Sequence, residues 1–149
     1  MDQLYRAAWG LCGSAHDAED LVQETFANVL KRPRLLRDDN EIGYLLRALK
    51  NTYVTSYRSG ARRRHDRELT EEDSVPRADD GLEAREIMEA IASAPVAYRD
   101  AVIAVDLIGL SYREAAVVLR TREATITSRL HRGRQHIAGA LRGQLRSAA

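Results

Sequence analysis

Polar side chains recur on one face of the segment from Glu123 to Arg146, at spacings that a helix would bring together. This face carries Thr125, Ser128, His131, Arg132 and Gln135, with Thr127 and Arg129 at its flanks. Their hydroxyl, imidazole, amide and guanidinium groups are suited to phosphates and to base edges in the major groove of DNA. A solvated, arginine-rich surface is the simpler interpretation of a lone helix, so the DNA hypothesis depends on the neighbouring elements.

Two helices joined by a short break are predicted around this face. Ser111 and Glu114 have the spacing of a capping box, which predicts a helix from Tyr112. A break at 120–122 precedes a second helix from about Glu123. The apolar stripes are Ala115, Ala116 and Leu119 on the first helix and Ile126, Leu130, Ile137 and Leu141 on the second. The cap, the tight break and the polar face together favour a DNA-binding helix-turn-helix.

Two earlier helices also have faces whose residue types suit macromolecular partners. A helix from the Ser14–Asp17 cap to about Lys31 has an outer face of Asp17, Asp20, Gln23 and Glu24. A helix near Glu41 to Arg58 has an outer face of Tyr44, Arg47, Asn51, Thr55 and Arg58. The second set can hold a nucleic-acid backbone and stack on, or hydrogen-bond to, an unpaired base. Ordinary solvated surfaces are the alternative for both helices.

Charge is distributed unevenly along the 149 residues, although the net charge is only +1. From Arg120 to Arg146 there are seven arginines and one acid, Glu123, whereas His65 to Glu83 contains eight acids and two arginines. This pattern predicts a basic DNA-facing end and an acidic middle. The hydrophobic content of 44% is enough for the cores of one ordinary domain or two small ones.

Enzyme, metal and membrane functions lack supporting residues. The four histidines and the single Cys12 have no metal-ligand spacing, and the scattered glycines form no phosphate-binding loop. Cys12 is expected in the core rather than as a reactive thiol. No signal peptide or membrane-spanning apolar run is present. We therefore expect a cytoplasmic protein with no cofactor, no metal and no catalytic activity.

Helical periodicity dominates, so the predicted fold is all-α, with two small helical domains on a flexible tether. The domains are predicted at 1–60 and 81–146, with a linker at 61–80 that lacks apolar periodicity. Further helices are expected at Asp2–Cys12, from about Leu82, and from Pro95 through Leu107. The expected inward residues include Leu4, Ala8, Leu11, Leu21, Val22, Phe26, Val29, Leu30, Ile42, Leu45, Leu46, Leu49, Tyr53, Ala84, Ile87, Met88 and Ile91. Each domain is near the lower size limit for independent stability, so each is expected to lean on a partner.

The segments SYREAAVVL and ATITSRLHRGR resemble region 4 of the extracytoplasmic-function sigma factors, the small bacterial transcription initiation factors. Residues 17–26, DAEDLVQETF, resemble the polymerase-binding segment of region 2 in the same family, in the right order and spacing. The resemblance implies core RNA polymerase (β′ clamp helices and β flap) and promoter DNA as partners. An anti-sigma factor is a further partner class to consider.

The resemblance also implies roles for individual residues. It implies that Asp17, Asp20, Gln23 and Glu24 contact the polymerase. It implies that the minus-10 element is bound by Tyr44, Arg47, Asn51, Thr55 and Arg58, and that the loop Arg34–Asn40 contributes to specificity. It implies that the minus-35 element is bound by Arg122, Thr125, Thr127, Ser128, Arg129, His131 and Arg132.

The sequence departs from the family pattern at several positions. Thr55 replaces a common acidic residue, Tyr44 replaces a frequent Trp, and Ala124 replaces a usual Gly. Arg120 stands where the turn usually begins with Gly. A non-glycine residue in a left-handed helix cap costs roughly 1 kcal/mol.

Two other classes of function fit parts of the sequence. One is a sigma-like decoy that binds an anti-sigma factor without initiating transcription. The other is an ordinary helix-turn-helix regulator, against which DAEDLVQETF argues. The first helix is short for the family, which favours a late start or a trimmed N-terminus. The final Ala148-Ala149 resembles tags gripped by bacterial unfoldase–proteases, although two alanines that simply finish a helix are the plainer interpretation.

Overall fold

The computed structural model describes residues 2–31, 40–60 and 81–148, which form helices and no strands. The helices are α1 (Asp2–Cys12), α2 (Ala15–Lys31), α3 (Glu41–Gly60), α4 (Leu82–Ala92), α5 (Val96–Val102), α6 (Tyr112–Val118) and α7 (Glu123–Ala148). A π-helical turn, Ile103–Leu107, continues α5. The all-α prediction is confirmed. The predicted linker 61–80, loop residues 34–39 and the side chain of Arg58 lie outside the described residues.

The first helix ends where the sequence predicts, and most of its surface is buried. Gly13 has a φ of 74°, and its N–H donates to the Trp9 carbonyl at 2.7 Å. Glycine adopts this left-handed conformation without a steric penalty. The predicted inward residues Leu4, Ala8 and Leu11 are all buried.

α1 lies between the two predicted domains and packs on both. It contacts α2 and α3 on one side, and α4 and the π-helical turn on the other. The buried residues of both domains consequently form one continuous apolar cluster. Here each domain leans on the other, while the predicted domain boundaries themselves stay a prediction.

The last turn of α2 differs from the prediction. Leu21 is buried, and Val22, Phe26 and Val29 are partly buried, but the Leu30 side chain is 78% exposed. No described helix covers that turn, so the predicted burial of Leu30 is wrong. Thr25 takes a core position instead, because its hydroxyl donates to the Leu21 carbonyl at 2.7 Å and leaves no unsatisfied donor.

In the C-terminal half, α5 and α7 approach closely at a glycine. A Cβ atom at Gly133 would lie 2.7 Å from Val102 Cγ2 and 2.9 Å from the Tyr98 carbonyl oxygen. The predicted core residues Ile126 and Leu130 of α7 are fully buried beside this contact. The approach seats α7 against α5 and directs its opposite face outward.

Candidate nucleic-acid interface

The predicted capping box at the start of α6 is present in full. The Glu114 N–H donates to Ser111 Oγ at 3.1 Å, and the Ser111 N–H donates to Glu114 Oε1 at 2.9 Å. Hydrogen bonds to the Glu114 carboxylate, first from the Ser111 backbone N–H and then from the Ser111 side chain, lower the pKa of that carboxyl. The cap fixes where α6 begins and thus the position of the turn that follows it.

The turn between α6 and α7 is a Schellman motif with arginine in the position that usually belongs to glycine. The Thr121 N–H donates to the Ala116 carbonyl at 2.9 Å, and the Arg120 N–H donates to the Val117 carbonyl at 3.3 Å. Arg120 has a φ of 53°, and no other non-glycine residue among those described has a positive φ. This is the strained cap that the sequence predicts.

Replacing Arg120 by glycine should therefore raise the free energy of unfolding by up to about 1 kcal/mol, because glycine has no Cβ to strain at this φ. Urea denaturation followed by circular dichroism measures the change. Arg113→Gly is the matched control, because Arg113 is exposed within α6 and a glycine there should cost about 1 kcal/mol. A loss of stability in Arg120→Gly would contradict the strain.

The outward face of α7 carries most of the residues predicted to read DNA. Five of the predicted minus-35 residues are exposed and two, Thr125 and Arg129, are partly buried. The exposed ones are Arg122, Thr127, Ser128, His131 and Arg132. The Thr127 hydroxyl donates to the Glu123 carbonyl at 3.2 Å, so this side chain is already hydrogen-bonded within the helix. Ser128, His131 and Arg132 form the part of the face most open to a ligand.

A tyrosine from another helix belongs to this face. Arg132 Nη1 donates to Tyr98 Oη at 3.1 Å, and this bond raises the pKa of Arg132. Tyr98 lies on α5, and no helical spacing relates it to Arg132. Sequence reasoning missed it because only the α5–α7 contact brings the two residues together.

One arginine of the basic segment is already neutralised. Arg134 donates to both carboxylate oxygens of Asp106, at 2.7 and 3.0 Å, and the bond to Asp106 raises the pKa of Arg134. Bidentate pairs of this kind orient the guanidinium as well as balance its charge. The basic face is therefore less charged than its arginine count suggests.

The acidic face of α2 is on the surface, as predicted. Asp20, Gln23 and Glu24 are exposed, and Asp17 is partly buried near the N-terminal cap of the helix, where its N–H donates to Ser14 Oγ at 3.4 Å. Asp20 lies 3.8 Å from His16, and Glu24 accepts a hydrogen bond from Ser56 of α3 at 3.0 Å. These exposed contacts hold the carboxylates loosely and leave them accessible to a partner.

The outer face of α3 is only half open. Asn51 and Thr55 are exposed, but Tyr44 and Arg47 are partly buried. Arg47 Nη2 donates to the carbonyl of Val117 on α6 at 3.1 Å, and its Nε is buried with no hydrogen-bond partner. The expectation of one continuous outer face, from Tyr44 to Arg58, is therefore corrected for Arg47, because α6 covers it.

Within the described residues, no cluster of histidine, cysteine or acidic side chains has the arrangement of a metal site. None of the described helices is long and apolar enough to cross a membrane.

Comparison with known proteins assigns both halves of the chain. Residues 1–63 match Sigma-70 region 2, and residues 84–137 match Sigma-70 region 4. The ECF RNA polymerase sigma factor EcfG of Rhodopseudomonas palustris is 30% identical, over 90% of this chain and 76% of its own length. The chain belongs to the ECF sigma factors, within the sigma-70 family.

Two further proteins show how similar this chain is to other sigma factors in sequence and in structure. SigE of Mycolicibacterium smegmatis is 35% identical over 91% of this chain, which spans only 56% of that longer protein. The Bartonella quintana sigma factor RpoE, solved in complex with the anti-sigma factor NepR, is 26% identical with a TM-score of 0.73. That alignment covers 93% of this chain and 89% of RpoE.

In this sigma factor, region 2 corresponds to α1–α3 and region 4 to α4–α7. The structure exposes most of the predicted α2 face and most of the α7 face, and it places these faces on different helices of one packed body. It also adds Tyr98 beside Arg132 and covers Arg47 with α6.

Proposed function

We propose that this sigma factor binds core RNA polymerase and directs it to promoters. In this proposal the α2 face docks on the β′ clamp helices, region 4 engages the β flap, α7 reads the minus-35 duplex, and α3 captures the minus-10 strand. The observation that carries the proposal is the presence of two independent family regions in order, each with its polar face on the surface.

In vitro transcription with purified core polymerase and a library of promoter fragments tests this function. Specific, factor-dependent transcripts are expected. Core binding without transcripts from any fragment would favour the sigma-like decoy instead. Binding to a DNA fragment without any affinity for core polymerase would favour an ordinary helix-turn-helix regulator.

The exposed residues of α7 lead to a more specific prediction about how this helix recognises DNA sequence. Ser128→Ala and His131→Ala should change base preference, because base-edge contacts carry the sequence information. Arg129→Ala should weaken binding to all sequences, with the salt slope reduced by about one counterion per lost phosphate contact. Fluorescence anisotropy on duplexes selected from the library, at several salt concentrations, separates the two effects. Unchanged preference and salt slope in all three variants would remove α7 as the reader.

Tyr98→Phe tests the hydrogen bond between Arg132 of α7 and Tyr98 of α5. It removes only the hydroxyl that accepts from Arg132 at 3.1 Å. We expect weaker duplex binding than in the unaltered protein, because a free Arg132 must be ordered on binding. In an Arg132→Ala background, Tyr98→Phe should have no further effect on DNA affinity. An equal loss in both backgrounds would mean that Tyr98 acts independently of Arg132.

Anti-sigma control is a further part of the proposal. The solved relative RpoE is in complex with the anti-sigma factor NepR, and this chain resembles it over most of its length. A protein that binds this chain and blocks its binding to core polymerase would establish such control.

A further inference from the structure

Arg120, in the turn between α6 and α7, has an unfavourable backbone conformation for its residue type. Its φ is 53°, and in this region the Cβ of an L-residue lies too close to the following carbonyl oxygen. The other described residues with positive φ are Gly13 and Gly109, which have no Cβ and adopt the conformation without that penalty. Arginine therefore lowers the stability of the fold at a position where the family usually has glycine.

The Arg120 side chain does not compensate for this strain within the described part of the chain. It is exposed, and its guanidinium forms no hydrogen bond or ion pair with any described residue. The bonds that close the turn come from the backbone N–H groups of Arg120 and Thr121. Glycine would keep both of those bonds, so the fold itself gives no reason for an arginine.

Two neighbouring arginines differ from Arg120 in this respect. Arg132 donates to Tyr98 at 3.1 Å, and Arg134 donates to both oxygens of Asp106. Those two guanidinium groups are oriented by the protein, whereas no described residue orients or neutralises that of Arg120. Its charge is available to an anion outside the chain.

The position of the turn indicates which anion this is. When a helix-turn-helix binds DNA, the N-terminal residues of its second helix contact base edges, and its first helix crosses the phosphate backbone. Arg120 lies between α6, the first of these helices, and α7, the second. Its exposed guanidinium is therefore placed at the border of the groove, where the phosphates are. Guanidinium groups bind phosphate oxygens through charge-assisted and often bidentate hydrogen bonds.

The gain from one phosphate contact is as large as the loss from the strain. A left-handed arginine lowers the ratio of folded to unfolded protein by about five-fold, which corresponds to about 1 kcal/mol. One phosphate contact on duplex DNA strengthens binding by about eight-fold at about 0.1 M salt relative to 1 M salt. A small loss of stability is therefore exchanged for a comparable gain in affinity.

We propose that Arg120 binds a backbone phosphate of the duplex read by α7, and that this contact explains why arginine stands at a position where glycine would be more stable. The inference rests on the proposed role of α7 as the reader of duplex DNA. A phosphate contact carries no sequence information but fixes how the protein sits on the duplex. Arg120 thus adds affinity and positioning, and base preference stays with the residues of α7.

Arg120→Gly should make the protein more stable and its binding to DNA weaker. With the full chain and a fluorescein-labelled random duplex of about 20 base pairs, anisotropy should show about five- to eight-fold weaker binding at about 0.1 M salt. The slope of log Kd against log salt should fall by about 0.9, so that the two proteins converge near 1 M salt. The urea midpoint should rise in the same variant, because glycine relieves the strain.

Two other substitutions at this position separate the charge from the backbone. Arg120→Lys keeps both the charge and the strain, so its affinity should stay within about two-fold of the unaltered protein, with the same salt slope. Arg120→Asn tolerates a left-handed backbone without the charge or the flexibility of glycine. It should bind as weakly as Arg120→Gly, whereas full affinity in Arg120→Asn would assign the loss in Arg120→Gly to flexibility and overturn the phosphate contact.

Arg85→Gln is the control for net charge, because Arg85 is exposed on α4 and pairs with Glu89 at 3.4 Å. Its duplex affinity and salt slope should equal those of the unaltered protein. Equal affinity and salt slope in Arg120→Gly and the unaltered protein would overturn this inference alone, and an equal loss in Arg85→Gln would show a general effect of charge instead. Absence of duplex binding by the unaltered protein would overturn the reading role of α7 together with the inference.

Discussion

Gly133→Ala is expected to lower the free energy of unfolding by about 1–2 kcal/mol, although alanine is normally the better helix former. The added methyl group would lie 2.9 Å from the Tyr98 carbonyl oxygen and 2.7 Å from Val102 Cγ2. Overfilling a packed site costs roughly 1–3 kcal/mol, and the gain in helix propensity offsets up to about 1 kcal/mol of this. Because the closest backbone atom cannot rotate away, α7 must shift relative to α5.

The same helix contains its own controls. Gly139 and Gly143 have open space around a built Cβ, so alanine at either position should stabilise the protein by about 0.5–1 kcal/mol. Urea midpoints by circular dichroism compare the three variants directly. A Gly133→Ala protein as stable as Gly139→Ala would refute the close approach of α5 and α7. Weaker duplex binding by Gly133→Ala is also expected, because the reading face moves with α7.

The double variant Asp20→Lys, Glu24→Lys should weaken binding to core polymerase at least ten-fold, about 1.4 kcal/mol. Both side chains are exposed on α2, and reversing two charges turns attraction to a basic partner into repulsion. Stability should change little, because the contacts these carboxylates make with His16 and Ser56 are on the surface. Biolayer interferometry with immobilised core polymerase measures the affinity.

Glu83→Lys, Glu89→Lys makes the same change in net charge on α4, where both acids are exposed. This control separates a local docking surface from a general effect of charge. Equal affinities of the two double variants for core polymerase would show that α2 is not the docking helix. The far-ultraviolet circular dichroism of both should match that of the unaltered protein.

Local sequence signals predicted the helices and their ends because capping and periodicity act over a few residues. Ser111 with Glu114 predicted the start of α6, and the predicted end of α1 at Cys12 and the predicted break at 120–122 coincide with the positive φ values of Gly13 and Arg120. The same local signals failed at Leu30. Its spacing along α2 suits a buried face, but burial requires a neighbouring helix, which no periodicity within α2 can supply.

The sequence by itself determined the family, the helical elements and the polar faces on α2, α3 and α7. Only the tertiary structure decided which of those faces are free. Arg47 and Lys50 of α3, and Asn40 just before it, look like surface residues in the local sequence, yet each bonds to a residue 50–74 positions later in the chain. Tyr98 and Arg132 meet because Gly133 admits α5. Such contacts depend on how helices pack, and no pattern of period 3.6 encodes the partner across a packed interface.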